Sequence, residues 1–395
     1  MSGRTGLSKK AGFLSLSCLL FLAVVTSPAL ADRAVPTLAT DYVPIPVQFI
    51  YPPLKPNGSA DDALATGQVR NEKFVMAAPA SKPWRIAFLF PHLKDPYWVG
   101  CNYGLISEAE RLGVAAQVFT SGGYDDLVGQ LRQMDEAIAA KFDAIVLSPL
   151  SLTANNASIA KARAAGIPVF ELANDSTSDD LTIKITTSLK GMGVEAMQWA
   201  IRDARKRGLK SINVALLPGP EGAGWVKGEV DGSHQAAAAA PIKVNIVDVR
   251  YGDSDRIIQS QLAAQLLAQH GKTLDYLLGC TGCAPAAVLP AREAGLNGKL
   301  RIVAFDLTRE IAGLVRTGDI VAAADTKGVS QARVAIGSAV NYLEGRMQKV
   351  PHTILVKLGL VDASNLASYP FDTSTAPEGF KPNLSYIPPN LRKSF

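Results

Sequence analysis

Two adjacent aromatic residues, Tyr97 and Trp98, stand where this chain can bind a small molecule. They lie in the stretch Lys94-Asp95-Pro96-Tyr97-Trp98, after a strand-like run at residues 84–90 and at the start of a helix-like run at residues 98–112. A strand-to-helix loop puts large flat side chains at the carboxyl end of a strand, where open α/β sheets bind ligands. Aromatic faces suit sugar rings, apolar molecules and methylated amines, the last through cation–π attraction. The same pair can instead act as a hydrophobic plug at the helix start.

The other chemistry-bearing residues are sparse. Cys280-Thr281-Gly282-Cys283 can pair as a disulfide in an exported protein, leaving Cys101 free. A Cys-x-x-Cys at a helix start can also be redox-active, but the aromatic or proline residues usual between such cysteines are absent. The four histidines do not cluster with the cysteines, which argues against zinc. No nucleophile is paired with a base, so an exported enzyme is not expected, and no cofactor is implied.

The amino terminus reads as an export signal. Arg4, Lys9 and Lys10 form a basic start, residues 11–25 are apolar, and Ala29 and Ala31 supply small residues before a cleavage point at Asp32. An uncleaved anchor is the competing reading, but the run is short for a spanning helix. Ser15-Leu16-Ser17 before Cys18 makes a poor lipidation site. Three of the five net positive charges lie in this segment, so the mature chain is nearly neutral and gives no case for nucleic-acid binding. At 48% hydrophobic and 7% aromatic residues, the composition suits a well-cored α/β protein.

Residues 32–83 carry repeated prolines and read as an extended lead-in with room for a hairpin. From Trp84 onward strand-like and helix-like runs alternate. Strands are expected at 84–90, 115–119, 144–147, 169–172, 183–185, 212–217, 244–249, 276–278, 301–305, 320–324 and 353–356. Amphipathic helices of ordinary length separate most of them, which implies parallel sheets with right-handed crossovers. Eleven strands are too many for one doubly wound sheet of ordinary width. No glycine-rich dinucleotide fingerprint or phosphate loop is present. A (β/α)8 barrel shares the alternation, but catalytic carboxylates or histidines at strand ends are missing.

Arg85-Ile86-Ala87-Phe88, Ala165-Gly166-Ile167-Pro168-Val169, the helix at 255–269 and Val303-Ala304-Phe305-Asp306 resemble the type I periplasmic binding proteins, relatives of ribose-binding protein. The Lys94–Trp98 loop with Asn102-Tyr103-Gly104, then Gly122-Gly123-Tyr124, Leu217-Pro218-Gly219-Pro220-Glu221 and Gly379-Phe380-Lys381-Pro382 are similar to TorT-like members. Those work with trimethylamine-N-oxide-sensing histidine kinases. The resemblance implies two Rossmann-like lobes with parallel sheets, joined by a three-segment hinge, and a ligand trapped between them. It divides the chain into a signal peptide (1–31), an extended segment (32–81), lobe one (82–186 with 326–350), lobe two (187–325 with 351–357) and a tail (358–395). Crossings are expected near Thr187, Asp325 and Pro351.

The resemblance also names candidate ligand contacts. Tyr97 and Trp98 are the first candidates, and Trp98 and Tyr124 match two aromatic walls of the family's pocket. Ser188 stands near where a second-lobe tryptophan is expected, and Asp306 where a tyrosine is expected. Asp306 resembles the hydroxyl-binding aspartate of sugar-binding relatives, or it caps the following helix. Lys227 is a cleft cation or a solvated helix lysine. Trp225 is a replacement aromatic face or a loop closure. Asn174 is a polar contact or a turn residue, and Asp325 a contact or a hinge hydrogen bond. Cys280 occupies a strand end that often carries a contact, though a packed small hydrophobe suits it better. The implied function is a periplasmic protein that binds trimethylamine N-oxide, a related methylated amine or a sugar. It would present ligand state to the periplasmic domain of a sensor histidine kinase. The alternative is the sugar- or polyol-binding component of an ABC importer, with a permease as partner.

Overall fold

Short apolar strands buried on both faces are built for parallel sheets covered by helices, and that is how this chain folds. The structure, a computed structural model, describes residues 44–391. The expected signal peptide and the first part of the lead-in lie outside the described residues.

The lead-in forms β1 (Ile45–Tyr51), α1 (Ala60–Thr66) and β2 (Gln68–Phe74). Alternation then runs through β3 (Arg85–Phe90), α2 (Pro96–Leu112), β4 (Ala115–Thr120), α3 (Leu127–Ala139), β5 (Ala144–Leu147), α4 (Asn156–Ala164), β6 (Val169–Leu172) and β7 (Ile183–Thr186). A second series follows: α5 (Leu189–Lys206), β8 (Ser211–Gly219), α6 (Gly224–Ala238), β9 (Lys243–Tyr251), α7 (Arg256–His270), β10 (Tyr276–Gly279), α8 (Cys283–Glu293), β11 (Arg301–Ala304), α9 (Arg309–Thr317) and β12 (Ala322–Asp325). The chain ends with α10 (Gly328–Leu343), β13 (Thr353–Val356), β14 (Gly359–Asp362) and β15 (Ser385–Tyr386), with single 3-10 turns at Leu366–Ser368, Phe371–Thr373 and Pro389–Leu391. Among the described residues no helix is long and apolar enough to cross a membrane.

The strands make two sheets. One has the order β15-β4-β3-β5-β6-β7-β13-β1-β2, the other β14-β12-β11-β10-β8-β9. Each contains the doubly wound core in which the second strand of the series lies outside the first and the third lies on its other side. The order therefore reverses beside β3 in one sheet and beside β8 in the other, and ligands bind at such switch points. Side chains alternate between faces as strand geometry requires. Ile86, Phe88 and Phe90 face α2 and α10, packing with Leu105, Val334 and Val340. Ala87 and Leu89 face α3 and α4, packing with Met134 and Ile159. In the second sheet Ala215 and Leu217 meet α7 and α8 through Leu266 and Ala287. Val214 and Leu216 meet α5 and α6 through Met192 and Ala236.

The sheets are linked at three places: β7 to α5, β12 to α10 and β13 to β14. Residues 353–356 were expected with lobe two, yet β13 pairs in parallel with β7 and antiparallel with β1 in the first sheet. The third crossing consequently falls after Val356, not near Pro351. The lead-in is the reason. β1 and β2 extend the first sheet through an antiparallel pair, so β13 is an interior strand of a sheet wider than the alternating pattern shows. The tail also pairs: β14 joins β12 and β15 joins β4.

Candidate ligand-binding site

Asp95 and Pro96 fix the aromatic loop. Asp95 caps α2 by accepting from Tyr97 N at 2.8 Å, and Pro96 occupies the first turn, where its missing N–H costs nothing. Tyr97 and Trp98 thereby enter the helix side by side, rings 5.1 Å apart and edge to face. Trp98 rests on Phe90 at 5.2 Å and is 2% exposed. Tyr124, beyond the second strand of the series, bonds Asn174 at 3.3–3.4 Å, and Asn174 is held in turn by Pro149 O at 2.8 Å.

The second lobe answers with Trp225 at the start of α6. Its ring lies 5.9 Å from that of Tyr124. Gly219, with φ of 113°, lets the indole approach: a Cβ there would lie 2.6 Å from the ring. Only glycine tolerates both that backbone conformation and that contact, which gives the Leu217-Pro218-Gly219-Pro220 loop its physical meaning.

Tyr97, Trp98, Tyr124 and Trp225 line one cavity together with Asn174 and Asp306. About 50 Å³ of it is open to the centres of water-sized spheres. A polar cavity of that kind holds ordered water or a small ligand in its place. Sequence reasoning missed the rest of the lining, which includes Asp95, Ser254, Thr281, Met192, Glu229 and Gln331. Thr281 follows a strand end and Glu229 lies one turn beyond Trp225, which are the signals that point to them.

The acid and base side chains that line the cavity are all carboxyls. Its lining contains Asp95, Glu229 and Asp306 and no lysine, arginine or histidine. Asp306 is occupied: Oδ1 accepts from Leu307 N and Thr326 N at 2.8 Å, and Oδ2 from Thr326 Oγ1 at 2.7 Å. Burial, and then the Asp325 carboxylate, push its carboxyl up to about 8 against those hydrogen bonds. Glu229 is 1% exposed and its Oε2 has no hydrogen-bond partner. Burial first, then Asp306, raise it well above the usual carboxylate range. Trp225 Nε1 and Gln331 Oε1 are also buried without partners. Burial raises the Tyr97 and Tyr124 phenols, so both stay neutral donors.

The other expected positions lie outside the cavity lining. Ser188 caps α5, accepting from Gly191 N at 2.8 Å and donating to Asp61 at 2.6 Å. Lys227 points outward, its side chain 67% exposed and paired with Asp231 one turn on. Cys280 is bonded to Cys283, so its sulfur is spent; Cys101 is free and buried. Asp325 is buried at the hinge, accepting from Tyr369 and Ser374 of the tail at 2.6 Å and from Lys327 N at 2.8 Å.

Residues 86–347 match the family model described as a periplasmic binding protein domain. The chain belongs to the periplasmic binding protein family. Among members, it is 30% identical over 333 residues to periplasmic protein TorT of Escherichia coli K12, covering 84% of this chain and 94% of TorT. An ABC transporter solute binding protein from Bradyrhizobium sp. BTAi1, solved with bound BIS-TRIS, is 33% identical with a TM-score of 0.73, covering 87% of this chain and 99% of that one. A TorS sensor domain–TorT complex in the presence of trimethylamine N-oxide (TMAO) contains a chain that is 26% identical with a TM-score of 0.67, covering 76% of this chain and 99% of its own. As in a binding protein of this family, the cavity sits between the two sheets, on the switch-point ends of β3 and β8.

Proposed function

We propose that this is a periplasmic sensory binding protein that encloses a small methylated nitrogen compound, of the TMAO type, between its lobes. It presents its ligand state to the periplasmic domain of a sensor histidine kinase. The carrying observation is that the Lys94–Trp98 loop, part of a near full-length likeness to TorT, forms one wall of the cavity. The cavity's size and four aromatic side chains suit a methylated head group. Ligand free energy stabilises the closed form, and a partner that reads only that form reads occupancy.

The alternative is the solute-binding component of an importer for a sugar or polyol, favoured by the likeness to an ABC transporter solute binding protein and by Asp306 at a strand end. Against it, both oxygens of Asp306 already accept hydrogen bonds from the protein. Mass spectrometry of the ligand co-purified from the native host, followed by calorimetry with TMAO and with pentoses and hexoses, decides between them. A sugar that binds tightly where methylated nitrogen compounds give no heat would overturn the sensory reading.

A further inference from the structure

Glu229 is the carboxyl in the cavity lining that has a buried oxygen without a hydrogen-bond partner. It sits on α6 one turn after Trp225, and its burial is built in. Gly193 brings α5 so close to α6 that a Cβ there would lie 2.0 Å from the Glu229 carbonyl oxygen. The side chain is therefore held at the cavity wall, 1% exposed, with Oε2 unpartnered. A buried carboxyl left unpaired costs free energy that a ligand can recover.

The surroundings specify the sign of that ligand. Glu229 shares the cavity lining with Asp306, whose carboxyl it senses, and with Asp95, Tyr97 and Tyr124; α5 contributes only Leu189 and Met192. No cationic side chain is present to pair with any of the three carboxyls. The cavity shares Asp95, Ser254 and Thr281 with an outer vestibule of about 600 Å³. That vestibule adds Asp125, Asp253, Asp255 and Glu310 against Lys94 and Arg256. Arg256 is tied to Glu310 at 2.5 Å, which leaves an acidic approach. His92, also in the vestibule, has its charged form disfavoured by burial. An acidic mouth concentrates cations, and aromatic faces hold an alkylated ammonium.

We propose that the cleft selects a small organic cation, a quaternary or protonated tertiary amine, and that Glu229 is its counter-charge. This rests on the reading of the cavity as a site for methylated nitrogen and assigns the charge of the ligand. Burial raises the Glu229 carboxyl well above the usual carboxylate range, and a cation bound beside it favours loss of its proton to solvent.

Three probes of matched size test it by calorimetry on the purified protein: tetramethylammonium, TMAO and tert-butanol, each with five non-hydrogen atoms. The expected result is that tetramethylammonium binds at least about tenfold tighter than tert-butanol. Its affinity should rise by up to about tenfold per pH unit while the empty site holds the proton. Heats in buffers of different ionisation enthalpy should report proton release. Glu229→Gln should abolish tetramethylammonium binding without lowering Tm. Should that variant fail to fold, the preference of the unaltered protein for tetramethylammonium over tert-butanol decides by itself. TMAO binding that survives Glu229→Gln, with no binding of tetramethylammonium by the parent, would overturn the cation assignment and leave the methylated-nitrogen reading intact. Absence of binding for all three probes, with a sugar bound instead, would overturn both.

Discussion

Thr281 donates a 2.9 Å hydrogen bond from Oγ1 to Asp95 Oδ2, joining the loop after β10 to the start of α2. Asp95 uses its other oxygen to cap Tyr97 N, so one carboxylate both sets the aromatic loop and ties the two sheets together at the cavity wall. Such a bond exists only when the lobes are together, and its free energy counts toward closure alone. Thr281→Val is therefore expected to speed ligand release and weaken affinity about fivefold, the scale of a hydrogen bond worth about 1 kcal/mol. Stopped-flow release of bound ligand checks it. A release rate equal to that of the parent protein would show that the bond does not report on closure.

Trp98 combines two roles that single substitutions confound. It lines the cavity and belongs to the core beneath α2 and α10. Trp98→Ala is expected to weaken ligand binding by about 1–3 kcal/mol through lost aromatic burial and cation–π attraction. It should also cost about 3–5 kcal/mol of stability through the void left beside Phe90. Trp98→Phe keeps most of the packing, so in that variant urea unfolding should change little while calorimetry still shows weakened binding. Equal affinities in Trp98→Phe and the parent protein would make Trp98 a packing residue.

The first half of the site was legible because its determinants are local. Asp95-Pro96 announces a helix start, and the aromatics that follow inherit a strand-end position. Trp225 was visible for the same reason, after the Pro218-Gly219-Pro220 loop. Glu229 was not: an acidic residue on a helix reads as solvated, and its burial depends on the close approach that Gly193 permits between α5 and α6. Lys227, two residues earlier on the same helix, drew attention by its charge and faces solvent. Strand pairing shows the same divide. β5 is apolar throughout, β6 is apolar but for Glu171, and both are buried, whereas β2 reads Gln-Val-Arg-Asn-Glu-Lys-Phe and exposes all but its last residue. Its strand character comes from pairing with β1, which no local pattern encodes.

Asp306 makes a pH prediction with a definite sign. Its carboxyl, ordinarily near 3.8, is pushed up to about 8 in the folded protein. Between those values the folded chain keeps a proton that the unfolded chain has released. This group's contribution to stability is therefore full below about pH 3.8 and is lost as pH rises to about 8. Glu171, also pushed up to about 8, acts in the same direction, while His352, pushed down to about 4, acts in the opposite one. Comparing parent protein with Asp306→Asn cancels both. The stability of the parent relative to the variant should decline steadily across pH 4–8 and level off above. Thermal unfolding of both proteins over that range checks it, and parallel curves would show that Asp306 does not hold its proton.

Lys184 is the buried charge that fixes the lead-in to the first lobe. It is fully buried in β7 and donates to Asp175 Oδ1 and Gly58 O at 3.0 Å, and also to Ser176 O. Asp175 Oδ2 in turn accepts from Ala60 N at 2.8 Å, at the start of α1. From α1, Asp61 reaches Ser188 Oγ at 2.6 Å and Lys190 N at 2.9 Å, the amino end of α5 in the other lobe. The ammonium thus holds a strap that crosses the hinge. Removing it leaves Asp175 buried without its cation, and breaking such a pair costs about 3–5 kcal/mol. Lys184→Met is expected to lose that much in urea unfolding. Hydrogen exchange should show α1 losing more protection than β10, because the Gly58 and Ala60 anchors go with the lysine while the second sheet keeps its core. A loss below about 1 kcal/mol with α1 still protected would mean that apolar contacts, such as Ala60 and Ala63 against Ile50 and Leu355, hold the strap without the charge.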